Sequence, residues 1–125
     1  MLTLVTILSL STLFVSCKDK GIDPVVITIS QEASVEGVTL QDYMEQLQED
    51  GELSFTIENG LVTKINGTKN GTNSFWMLYT NDAENANTAW GTYEYNEVVY
   101  SSAILGAETL QIKAGCTYIW VYQTF

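Results

Sequence analysis

The residue inventory sets narrow limits on chemistry. The 125 residues include no His, and the two cysteines, Cys17 and Cys116, lie near opposite ends. A cysteine nucleophile needs a base or a cation beside it to hold the thiolate. Without an imidazole anywhere, Cys116, between Gly115 and Thr117, reads as a small packed residue. The fifteen Asp plus Glu outnumber five Lys, with no Arg. These carboxylates scatter over positions expected to face water, so neither a nucleophile–base pair nor a three-His metal set can be assembled. Nothing in their spacing favours a paired-carboxylate hydrolase. The stretch Asn81-Asp82-Ala83-Glu84-Asn85 offers oxygen ligands, but it lacks the spacing and glycine of an EF-hand loop and reads as a solvated surface loop. An enzyme is not expected, nor is a metal or a cofactor.

Aromatic side chains carry what binding chemistry remains. Seven Tyr, four Phe and three Trp are present, and Trp76, Tyr79, Trp90, Tyr93 and Tyr95 fall in or beside the longer loops. Amphipathic rings there contact flat ligands or protein partners, or else pack inward. Trp76 and Tyr79 read as core; Trp90, Tyr93 and Tyr95 are open to either role. The net charge of −10 excludes nucleic acid and anionic headgroups as partners, because phosphate neutralisation needs clustered Lys or Arg. Its simplest role is solubility.

The N-terminus says where the chain works. Residues 1–16 are free of charge, and Cys17 then opens the polar run Lys18-Asp19-Lys20-Gly21. An apolar stretch this short cannot span a bilayer of about 30 Å, but it suits the central region of a signal peptide. Leu13-Phe14-Val15-Ser16-Cys17 resembles a bacterial lipobox, in which a small residue precedes the cysteine that is acylated and becomes N-terminal. The alternatives are an ordinary secretory signal or a buried N-terminal helix. The expected organisation is a signal peptide over 1–16, a lipidated linker over 17–24 and one domain over 25–125, held at the membrane only through lipid on Cys17.

Hydrophobic residues at 46% and charged residues at 16% allow that domain a core large enough to offset its ordering entropy. Residues 25–30, VVITIS, are nearly all β-branched and predict a first strand after the single Pro. Thr39 with Asp42 forms a capping box, and Leu40, Tyr43, Met44 and Leu47 recur at i, i+3, i+4 and i+7. That pattern predicts an amphipathic helix ending at Asp50-Gly51. Leu53, Phe55 and Ile57 alternate with polar residues before Asn59-Gly60 and the run 61–65, which predicts a type I′ hairpin. A long loop should follow, then a strand over 75–80 and a surface loop over 81–87. After residue 87, Trp90, Tyr93, Tyr95 and Tyr100 are spread through a segment with no clean period. Strands are expected at 110–113 and 117–122, the latter apolar on both faces and so placed centrally.

Read in order, Val38-Thr39-Leu40, Asp42-Tyr43-Met44, the run from Leu61 to Gly67, the run from Trp76 to Asn81, and Lys113-Ala114-Gly115 leading to residues 118–122 resemble the C-terminal domain of transcobalamin and intrinsic factor, and its relatives on bacterial surface proteins. The resemblance covers most of residues 25–122. The chain departs from it at Cys116, where relatives carry an acidic residue, and over 93–107, which is longer or more irregular. The resemblance implies an α+β fold, one helix on a bent, mainly antiparallel sheet, β-grasp-like. In the vertebrate proteins this domain closes over one face of cobalamin beside a helical partner domain. It therefore implies a surface binding module for a corrinoid, with half a site; the rival expectation is an envelope interaction or structural module with no small ligand.

Overall fold

The computed structural model describes residues 22–125. The expected signal peptide, Cys17 and the linker up to residue 21 lie outside those residues. The described chain is α+β and dominated by antiparallel sheet. Its elements are β1 (Val25–Thr28), α1 (Leu40–Glu49), β2 (Phe55–Glu58), β3 (Leu61–Ile65), β4 (Thr68–Lys69), β5 (Ser74–Thr80), a one-turn 3₁₀ helix (Ala83–Asn85), β6 (Ala86–Tyr95), β7 (Val98–Ala103) and β8 (Thr117–Thr124). Five strands form one sheet in the order β1-β8-β5-β7-β6, and β2-β3-β4 form a second. Every pairing is antiparallel.

Local signals produced the helix and the first hairpin as expected. The Thr39 hydroxyl accepts from the Asp42 N–H at 3.1 Å, and the Asp42 carboxylate accepts from the Thr39 N–H at 3.2 Å, closing both halves of the capping box. Leu40 and Met44 are fully buried, while Tyr43 and Leu47 pack half-buried against the same core. Asn59 and Gly60 have φ of 55° and 79°, the sign a type I′ turn demands at both positions.

The core on the helix side gathers Met44 of α1, Val62 and Ile65 of β3, Trp76 and Leu78 of β5, and Tyr118 and Trp120 of β8. The Trp120 indole N–H points to the Met44 sulfur at 3.3 Å. Alternate residues of the same strands, Tyr79 and Ile119, face the other side and pack there with Tyr100 of β7. This is why β8 reads apolar on both faces: it lies inside the sheet, between β1 and β5.

Several expectations fail for want of non-local information. Residues 110–113 are not a strand and make only the isolated bridge Thr39↔Gln111. The Leu110 carbonyl accepts from the Leu40 N–H at 2.8 Å, and just before the stretch the Ala107 carbonyl accepts from the Gln41 N–H at 2.9 Å. These are helix-start N–H groups that no turn of the helix can satisfy. The long loop after residue 65 is shorter than expected. Asn66 and Gly67, at φ of 50° and 87°, make a second tight turn into β4. The supposed loop over 81–87 holds the 3₁₀ turn and the start of β6. The aperiodic stretch resolves into the β6–β7 hairpin, turning at Asn96 and Glu97 with positive φ at both.

Candidate functional site

The irregularity of β6 builds the most distinctive surface. Its first residues pair as Ala86↔Ala103 and Asn87↔Ser102, and the ladder resumes at Thr92↔Ser101. Residues 88–91 therefore bulge out between two adjacent partners, and Gly91, at φ 93°, lets the chain turn back. Trp90 sits in this bulge, 66% exposed. The Asn87 side-chain carbonyl accepts from the Ala89 N–H at 2.9 Å, and the Ser102 hydroxyl accepts from the Trp90 N–H at 3.2 Å while donating to the Asn87 carbonyl at 2.8 Å.

The bulge overhangs the side of β5 that has no full strand partner. β7 pairs only with Tyr79 and Thr80. Further along, the 70–73 turn closes the edge: the Trp76 N–H donates to the Asn70 side chain at 3.0 Å, and the Gly71 N–H to the Ser74 carbonyl at 2.8 Å. What remains is an open hollow of about 480 Å³ lined chiefly by Leu61, Phe75, Trp76, Met77, Trp90 and Phe125. A second hollow of about 210 Å³ shares Leu61, Trp76, Met77 and Trp90 with it and extends it past Ile104 and Leu105. Together they form one trough with Trp90 at its middle. No charged side chain lines either part, in a chain of net charge −10. Of the ten large hydrophobic side chains exposed among the described residues, six flank this trough: Leu61, Phe75, Trp90, Ile104, Leu105 and Phe125. Such concentration marks an interaction surface rather than scattered exposure.

The aromatic residues singled out from the sequence divide between two faces. Trp90 and Trp76 meet in the trough, although most of Trp76 is core and its indole N–H is taken by the Thr68 carbonyl at 2.8 Å. Tyr79, Tyr93 and Tyr95 belong to the opposite cluster, where the Tyr79 and Tyr93 rings lie 5.7 Å apart. The Tyr79 hydroxyl donates to Gln123 at 2.6 Å; burial raises its pKa, partly offset by that bond. Leu61, Phe75, Phe125, Ile104 and Leu105 were missed. The one local hint was the Trp90-Gly91 pair, since a glycine within a strand pattern signals a bulge.

The Asn81–Asn85 region is an anchor rather than a free loop. Asp82 is only 3% exposed. It accepts from the Glu84 N–H at 3.2 Å, the Asn85 amide at 2.7 Å and the Lys113 ammonium at 3.1 Å, and the Tyr118 hydroxyl lies 3.4 Å away. Burial pushes its carboxyl up, but the Asn85 and Lys113 bonds outweigh that and hold it below the usual aspartate value. Lys113 also contacts Glu84. The ammonium thus stands where a cation would have to bind. No cluster of three or more His, Cys, Asp or Glu able to hold a metal occurs among the described residues. Cys116 packs half-buried at the edge of the core, and burial raises its thiol pKa.

A scan against protein-family models and searches of curated proteins and of solved structures found nothing that matches this chain.

Proposed function

We propose that this chain is a non-enzymatic binding module of the bacterial cell surface, anchored through lipid on Cys17. Its trough takes a small ligand with a flat, uncharged face. The observation that carries this is the trough itself: six exposed apolar side chains around a hollow with no charged side chain in its lining. Burying them would contribute about 25 cal/mol per Å² of apolar surface, and no charged side chain would need desolvation. The resemblance to the transcobalamin C-terminal domain supplies the candidate ligand, a corrinoid, and the finer fold description, a β-grasp-like bent sheet under one helix. In this reading the open hollow of about 480 Å³ meets one face of such a ring, and the other is left to water or to a second protein. No described helix is long and apolar enough to cross a membrane, and in this proposal lipid on Cys17 supplies the anchorage.

Calorimetric titration of the purified chain with cyanocobalamin and cobinamide tests the reading. Saturable binding tighter than about 1 mM, equivalent to roughly −4 kcal/mol, supports it, as does weakening on Trp90→Ala. Absence of heat and of tryptophan quenching with both probes would contradict it. A second reading, a protein contact surface, draws on the extension of the apolar strip beyond the ring-sized hollow to Ile104 and Leu105. Anchorage is tested separately: Cys17→Ser should move the protein from the membrane fraction to the soluble fraction.

A further inference from the structure

We infer that Ser102 is a positioning residue, whose hydroxyl holds the 88–91 bulge so that the Trp90 indole stands preformed over the trough as a stacking platform for a neutral ring. This rests on the trough being a ligand site. Ser102 is 2% exposed, and its one hydroxyl joins the bulge to the residue before it, accepting from the Trp90 N–H and donating to the Asn87 carbonyl. The Asn87 side chain ties down Ala89 between them. Two of the four residues that leave the ladder, Ala89 and Trp90, are therefore tied back to its last pair, Asn87 and Ser102. A regular β6–β7 ladder would need none of these bonds. A held platform binds more tightly than a loose one, because its ordering does not have to be met on association. With no charged side chain along the trough, the inserted part of the ligand is taken to be uncharged, and the indole face favours a flat ring over a chain.

The test uses the full chain labelled with 5-fluorotryptophan. Three fluorine resonances arise from Trp76, Trp90 and Trp120, and Trp90→Phe assigns the one of interest. Ser102→Ala should move the Trp90 resonance towards free 5-fluorotryptophan while Trp76 and Trp120 stay in place, and should weaken cobinamide binding about tenfold, or ~1.4 kcal/mol. Ser102→Thr, which keeps the hydroxyl, should restore both. Asn87→Ala, at an exposed side chain, should act in the same direction without touching the core. An unmoved Trp90 resonance in both Ser102→Ala and Asn87→Ala overturns the positioning role. So does unchanged cobinamide affinity in variants whose resonance has moved, with the trough left standing as a ligand site. If the unaltered chain binds neither cobinamide nor cyanocobalamin, the ligand reading itself falls, and Ser102's role with it.

Discussion

Asp82 shows at residue scale what a one-dimensional reading cannot supply. Its neighbours Asn81, Ala83, Glu84 and Asn85 carry loop chemistry, and only tertiary structure brings Lys113 and Tyr118 to its carboxylate. With Asp82 buried and accepting three hydrogen bonds, Asp82→Ala should destabilise the fold by about 1–2 kcal/mol, because these bonds and the nearby Tyr118 hydroxyl lose their acceptor. Urea unfolding would show it, and no loss of midpoint would refute the anchoring role. The exposed Glu84–Lys113 contact should contribute little, as solvent-facing ion pairs do. Trp90 was legible as an aromatic candidate, but the trough was not: Leu61, Phe75 and Phe125 meet it only through the strand order.

At the scale of elements, what could be read was what is local. The capping box, the i, i+3, i+4 and i+7 face of α1 and the Asn59-Gly60 turn depend on residues a few positions apart, and each formed as expected. Thr39→Ala should therefore cost about 1 kcal/mol, measurable as a lower urea midpoint. Residues 110–113 misled because their strand-like pattern serves to bury Leu110 and Ile112 while their backbone closes the helix start. The β6–β7 turn was illegible because it lacks glycine, with Glu97 at φ 69°. A non-glycine residue in that region costs about 1–2 kcal/mol. Glu97→Gly should consequently stabilise the protein, by roughly 0.5–1 kcal/mol after the added chain entropy of the unfolded state; a fall in thermal midpoint would contradict this.

For the whole molecule, two titrations bound the pH range of stability. Asp82 is held below the ordinary carboxyl value in the fold. Its contribution is thus present above the unfolded value of about 3.9 and lost as pH falls through the folded one. Tyr118 is pushed up to about 12, chiefly by burial. Stability is then full below the unfolded value of about 10 and declines as pH rises from there through the folded value. Unfolding followed by circular dichroism should steepen on both limbs, and Tyr118→Phe should blunt the alkaline one. Among the described residues no disulfide bears on either limb. The proposed function rests on the trough, which no charged side chain lines on a body of net charge −10. Its role is tested most directly by titrating the ¹⁵N-labelled chain with cobinamide and mapping the amide shifts. Saturable shifts concentrated at Leu61, Phe75, Trp90, Ile104, Leu105 and Phe125 are expected; shifts confined to the Tyr79–Tyr93 face, or none at all, would contradict the trough as the binding site.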